Sequence, residues 1–301
     1  MTRLSARNRA ASLVLFGTAA SFLAFANPLA RLPILVLGFT WALDQLAGLA
    51  RDPRHALKLG WLTGAASASA SLYWIALPVH DYGYLPWALA VPCPMLMGAV
   101  LGLYPALLCW LLFTTRQTIS PLARGVFAGL SWAAIEATRG MLFTGFPWLP
   151  LAAALTPWPP AIQAAALIGA YGLSGVLAAC GVWLAGPGVP SRAACLLTLA
   201  ALTGYGLWAV DQPVHTDGEF RAVMVQGNID QAQKWEPDTL SKAIGRYTDL
   251  SATVLSPAPD VVIWPETALT FFIQEPGPEA LQVRAFVKRA GVPLLAGAPG
   301  Y

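Results

Sequence analysis

The stretch Ala258–Phe272, APDVVIWPETALTFF, decides how the last third of this chain is read. Val261, Val262, Ile263 and Trp264 run without a charge, and Pro265 and Glu266 follow at once. An unbroken β-branched and aromatic run marks a strand covered on both faces of a sheet. The plain reading of Glu266 is that strands end in polar residues and that a proline marks a turn. The sharper reading is that a strand end on an α/β sheet is where catalytic side chains are displayed.

The neighbouring residues extend the pattern. Upstream, EFRAVMVQGNI (219–229) reads as a strand to about Gln226, with a polar exit at Gly227 and Asn228. PDTLSKAIGRYTDLSATVL (237–255) reads as a helix, because Leu240, Ile244, Tyr247, Leu250 and Val254 recur every three or four residues. Downstream, GPEALQVRAFVKRAG (277–291) is a second helix, with Pro278 near its start and Gly291 as its stop. VPLLAGAPG (292–300) is a third strand. The β-α-β-α-β order predicts an α/β sheet. Three strands are only the beginning of such a domain, so the chain is expected to be cut short at its C-terminal end.

Composition shows that this is one of two different parts. Of 301 residues, 56% are hydrophobic and 11% charged, and the mean hydropathy is +0.58. An ordinary soluble domain carries roughly 25% charged residues. Four acids (Asp44, Asp52, Asp81 and Glu136) precede residue 211, and the other eleven stand from Asp211 onward. The predicted domains are therefore a membrane helical domain over 1–210 and an α/β part over 211–301. The scattered basic residues, with no stripe interleaved with aromatics, argue against nucleic acid. Cys93, Cys109, Cys180 and Cys195 all lie in the membrane part at no metal-ligand spacing, and they read as small apolar packers.

Apolar segments of spanning length fall at about 11–28, 32–50, 57–78, 85–113, 121–138, 161–186 and 193–209. Seven spans are expected, with six the competing count. With a cytoplasmic N-terminus, nine basic residues lie inside: Arg3, Arg7, Arg9, Arg51, Arg54, Lys58, Arg116, Arg124 and Arg192. The outside loops between spans hold only Arg31 and Arg139. That asymmetry follows the positive-inside rule loop by loop and places the part after residue 210 outside the cytoplasm.

Two outward loops hold candidate residues. YWIALPVHDYGYLPW (73–87) carries His80 and Asp81, and EATRGMLFTGFPWLPLA (136–152) carries Phe146 and Trp148. Glu136 and Arg139 stand three apart, at helical spacing for a pair on one face. These residues fit an interfacial aromatic belt with a helix-end ion pair, and they fit a lipid-facing vestibule equally well. His80 on its own reads more readily as a loop histidine than as a ligand.

VQGNIDQAQKWEPDTL (225–240) followed by DVVIWPETAL (260–269) resembles the start of the catalytic domain of bacterial apolipoprotein N-acyltransferases, members of the nitrilase (carbon–nitrogen hydrolase) superfamily. GWLTGAASASASLYWIALPVHDYG and RGMLFTGFPWLPLA resemble that family's loops. The resemblance covers nearly all of the chain. It implies an αββα nitrilase-like domain on a seven-span membrane domain in the bacterial inner membrane, with residues after about 210 in the periplasm.

It also implies a transferase that completes lipoprotein maturation. An acyl chain would pass from a phospholipid, through a Cys thioester, to the α-amino group of a diacylglyceryl-cysteine in an apolipoprotein. Glu266 matches the family's general base, and Trp235 matches a tryptophan beside the lipid entrance. The family's Lys and Cys lie beyond residue 301. Lys288, inside a helix, and Cys93, inside a span, are poor substitutes, so the chain is expected to be catalytically incomplete. Neither cofactor nor metal is called for, and a monomer is expected. The alternatives are a membrane-anchored carbon–nitrogen hydrolase (an amidase), an acyltransferase-like module of a fusion protein, and a non-enzymatic transporter or scaffold. Against the transporter, the spans show no repeat symmetry and no broken-helix pair.

Overall fold

The computed structural model describes residues 3–213, 217–230 and 237–300. The chain divides into two compact units, Met1–Pro213 and Val214–Tyr301. Trp235 lies outside the described residues.

The first unit is helical. Its long helices are α1 (Arg3–Ala24), α2 (Val36–Leu49), α3 (Pro53–Ser71), α4 (Trp87–Thr115, with breaks at Val91 and Gly102), α5 (Pro121–Arg139), α6 (Ala165–Ala185) and α7 (Val189–Val210). Capping chemistry sets two of the starts. Asp52 accepts the His55 N–H at 2.8 Å ahead of Pro53, and Ser120 accepts the Ala123 N–H at 3.3 Å ahead of Pro121. In both cases a side-chain oxygen satisfies a first-turn donor, while proline occupies a position whose N–H would have no partner.

By length and apolarity, three helices among the described residues can cross a membrane: α4, α6 and α7. A fourth is available if α3 and the helical segment Tyr73–Asp81, bent 53° apart, form one broken span. The other expected segments are less apolar or shorter. Helix α1 opens on Arg3, Arg7 and Arg9, α5 carries Arg124, Glu136 and Arg139, and Pro33–Leu49 is a short apolar helix. The bend after Ser71 interrupts what the sequence predicts as a single span over 57–78.

Small residues let these helices approach closely. A Cβ on Gly129 would stand 2.7 Å from the Gly175 carbonyl oxygen, and one on Gly175 would stand 2.6 Å from the Gly129 oxygen. Helices α5 and α6 therefore cross backbone to backbone, as small residues permit where dispersion rather than water drives association. A buried ion pair ties α2 to α5, with Arg124 Nε and Nη2 each 2.7 Å from Asp44 Oδ1.

The second unit holds a parallel sheet of β1 (Ala222–Met224), β2 (Val261–Ile263) and β3 (Leu294–Leu295), in that spatial order. Val223 pairs with Val262, and Val262 with Leu294. Helices α8 (Pro237–Ala252) and α9 (Pro278–Ala290) connect the strands, and α9 ends on Gly291 in the left-handed conformation at φ 66°.

The core of this unit is Trp264, the residue after β2. Its ring stacks on Tyr247 at 5.2 Å and on Phe286 at 5.8 Å, so one indole joins both helices to the sheet. Its Nε1–H is donated to the Ser251 hydroxyl at 2.9 Å, and that hydroxyl is donated to the Tyr247 carbonyl at 2.7 Å.

The structure corrects two expectations. Val262 and Trp264 are buried, but Val261 and Ile263, on the alternate face, are only half-buried, so β2 is not covered equally on both sides. Helix α8 ends at Ala252, short of Val254, and both Leu250 within it and Val254 beyond it are exposed. Its inner face runs instead through Ala243, Ile244, Tyr247 and Ser251.

Candidate functional site

In a parallel sheet every strand ends at the same edge, so the residues after β1, β2 and β3 share one side of the unit. Glu266 stands there, exposed, three residues past the end of β2. Trp264 donates its N–H to the Leu295 oxygen at 2.8 Å and carries the pairing one residue further. A tight turn follows, in which the Ala268 N–H reaches the Pro265 oxygen at 3.1 Å. Glu266 and Thr267 are the two central residues of that turn. Thr267 adopts φ 51°, the left-handed value that the third position of such turns ordinarily reserves for glycine. A β-branched residue held there is backbone strain placed beside the carboxylate.

Gly297, after β3, closes the turn from the other side. Leu269 donates its N–H to the Gly297 oxygen at 3.1 Å. A Cβ on Gly297 would come within 2.6 Å of Thr267 N and 2.9 Å of Glu266 Cα. The carboxylate is thus carried on backbone fixed by β2 and β3 together. The exit of β1 is equally tight. A Cβ on Gly227 would meet the Tyr247 ring at 2.7 Å, Asn228 adopts φ 49°, and Gln226 Nε2 donates to Asn228 Oδ1 at 2.8 Å. An exposed carboxylate on a rigid strand-end turn can take and return a proton without moving the chain.

The helical unit carries the other candidates. Phe146 and Trp148 meet at 5.6 Å, and Trp148 stacks on Trp74 at 5.0 Å. The loop holding them is strained, with Phe143, Thr144 and Leu149 all at positive φ. A cavity of about 600 Å³ opens beside this cluster, with Trp74, Trp148 and Arg31 in its wall. His80 and Asp81 belong to a separate group. The His80 Nδ1 lies 2.7 Å from the Leu85 oxygen and its ring stacks on Trp87 at 4.1 Å, while Asp81 is exposed at the end of the short helix Ala76–Asp81. The structure therefore brings Phe146 and Trp148 together and gives His80 different partners.

The helix-end ion pair expected of Glu136 and Arg139 is not closed. Glu136, fully buried, accepts the Trp132 Nε1–H at 2.8 Å and the Leu151 backbone N–H at 2.9 Å through Oε1. Its Oε2 has no hydrogen-bond partner among the described residues, nor do Arg139 Nε and Nη2. The Arg139 guanidinium lies 5.9 Å over the Tyr104 ring instead. Glu136 is spent on holding the chain just past Trp148, where the Ala152 N–H also binds the Ser174 hydroxyl at 2.9 Å.

Sequence reasoning misses Gly297, Trp74 and Arg31. A glycine closing a strand end is a legible sign of close backbone approach. Nothing in the local sequence pairs Trp74 with Trp148.

Residues 10–183 match the family model described as the apolipoprotein N-acyltransferase N-terminal domain. An apolipoprotein N-acyltransferase of Geobacter metallireducens is 31% identical over 268 residues, covering 83% of this chain and 50% of that protein. One from Ralstonia nicotianae is 33% identical over 301 residues, covering 92% of this chain and 56% of that protein. One from Nitrosomonas europaea is 33% identical over 233 residues, covering 75% of this chain and 45% of that protein. The chain spans about half the length of the curated relatives it matches.

Proposed function

The chain belongs to the apolipoprotein N-acyltransferase family, and from that premise we propose that it supplies the membrane unit and the general base of an acyl transfer. The donor is a phospholipid, and the acceptor is the α-amino group of a diacylglyceryl-cysteine on an apolipoprotein. Glu266 takes the proton of a cysteine thiol, and the thiolate attacks the donor's ester carbonyl. A lysine ammonium balances the tetrahedral oxyanion. The ester C–O bond breaks, the lysophospholipid alkoxide leaves with the proton from Glu266, and the acyl group stays on sulfur as a thioester. The incoming amine then attacks, gives up its proton to Glu266, and the released thiolate is reprotonated. The reading requires a Cys and a Lys beyond residue 301.

The observation that carries this reading is the placement of Glu266, on a strained turn at the shared strand edge of a parallel sheet, in a chain of this family. The same reading makes residues 211–301 part of a nitrilase-like domain outside the cytoplasm of a bacterial inner membrane. Residues 1–210 form its seven-span anchor, with the N-terminus inside, and the protein works as a monomer. Phe146, Trp148, His80, Asp81 and Trp235 are assigned to the lipid path.

The test is Glu266→Gln in the protein encoded by the complete reading frame, incubated with phospholipid. We expect normal expression and no acyl-enzyme. A full yield of thioester would sink the assignment.

A further inference from the structure

The end of the helical unit where α1 and α3 begin carries arginines and lies away from the aromatic cluster of Trp74 and Trp148, which follows the end of α3. Two cavities adjoin there. One is a groove of about 800 Å³ beside the start of α1, with Val14 and Leu62 among its apolar walls and Arg7, Arg51, His55 and Lys58 around it. The other is a basin of about 730 Å³ at the start of α3, walled by Arg51, Asp52, Pro53, Arg54, His55 and Lys58. Arg51, His55 and Lys58 line both, so the two spaces meet at these three side chains.

Charge in this place is one-sided. Among the described residues, Asp52 is the one acid lining the basin, and its carboxylate already accepts the His55 N–H at 2.8 Å as the cap of α3. The Arg51 backbone N–H is directed at His55 Nδ1 at 3.3 Å, which makes Nε2 the ring's donor. The start of α3 adds the positive end of a 19-residue helix. A basic basin continuous with an apolar groove has the shape and polarity of one amphiphile. The phosphate belongs in the basin and an acyl chain belongs along Val14 and Leu62.

We propose that the basin and groove formed by Arg7, Arg51, His55 and Lys58 hold an anionic phospholipid, bound as a ligand and not consumed. Basic pockets between helices on one membrane face are where anionic headgroups collect, and each Lys or Arg near such a surface strengthens attraction by about fivefold. The apolar groove distinguishes this occupant from a free phosphate, which would have no use for it.

The test is native mass spectrometry of the full chain, purified from mixed bilayers of phosphatidylglycerol and phosphatidylcholine. Retained phosphatidylglycerol is expected to exceed retained phosphatidylcholine, and Arg51→Gln combined with Lys58→Gln should lower that preference roughly tenfold or more. Arg192→Gln, a charge removed elsewhere, should leave the preference unchanged, with circular dichroism confirming the helix content of every variant. Water-soluble glycerophosphoglycerol should fail to displace the lipid. No preference in the parent chain, an unchanged preference in the double variant, or an equal loss in Arg192→Gln would each overturn the proposal. Displacement by glycerophosphoglycerol would do so too, in favour of a bare phosphodiester. None of these readouts depends on acyl transfer, so failure of the lipid site leaves the Glu266 reading untouched, and the reverse also holds.

Discussion

Glu136, in the last turn of α5, accepts the backbone N–H of Leu151, fifteen residues further on, at 2.9 Å. One buried carboxylate oxygen thereby pins the far end of the strained loop that presents Phe146 and Trp148. Glu136→Ala removes the acceptor of both Leu151 N–H and the Trp132 indole N–H. Each orphaned donor costs about 1–3 kcal/mol. We expect a lowered thermal midpoint in detergent and faster proteolysis between residues 140 and 150. Glu136→Gln, which keeps a carbonyl acceptor, should restore most of the loss.

Gly297→Ala is a more local perturbation. The added methyl meets backbone at Thr267 N and Glu266 Cα, so the turn carrying the carboxylate must shift by several tenths of an ångström. On the proposed mechanism, acyl transfer should fall at least tenfold while the second unit stays folded. A misplaced reacting group is penalised steeply even when the fold survives. Unchanged acylation would show that the turn has slack.

In the second unit, Ser251→Ala strands the buried Trp264 indole N–H, at a cost of about 1–3 kcal/mol. Trp264→Ala also removes the stacking on Tyr247 and Phe286, and should cost about 3–5 kcal/mol. Urea unfolding followed by intrinsic fluorescence, or by circular dichroism for the tryptophan variant, separates the two.

Burial raises the Tyr247 phenol above its ordinary value, against the smaller opposing effect of Arg246. The folded state therefore holds this proton to higher pH than the unfolded chain does. Its stabilising preference for the neutral phenol is complete below the unfolded value of about 10 and is lost as pH rises through the folded one. Phenolate absorbance near 295 nm should lose a late-titrating component in Tyr247→Phe.

The charge asymmetry of the loops makes a sharper demand. A reporter active only outside the cytoplasm, fused after Asp211, should be active, and a cytoplasm-dependent reporter at the same point should be silent. The reverse pattern would overturn the inward N-terminus together with the odd span count.

Where sequence succeeds, the signal is periodic or punctuated. Pro278 and Gly291 bracket α9 because one lacks a donor and the other accepts a left-handed φ, and both facts belong to single residues. Glu266 is legible because the run before it stops abruptly. Ser251 is not, since a hydroxyl reads as polar until its indole partner is known, and periodicity favours Leu250 in its place. The Glu136–Arg139 spacing suggests an ion pair, but spacing carries no information about Leu151, which takes the carboxylate once the chain folds back. Helix α5 shows the same limit: its charges lower its apolarity, although its Asp44–Arg124 pair lies inside the unit.

The crossing of Gly129 and Gly175 has a mechanical consequence. Two backbones touch there with no side chain between them, and Ala133 and Ala179 flank the contact, their Cβ atoms 3.0 and 3.1 Å from where a glycine Cβ would stand. Sliding one helix a turn along the other would drive a methyl into a carbonyl, whereas a change of crossing angle leaves the touching point in place. The contact therefore fixes the register of α5 on α6, and the Trp183 indole N–H, donated to the Leu122 oxygen at 2.9 Å, holds the same register a second time further along the pair.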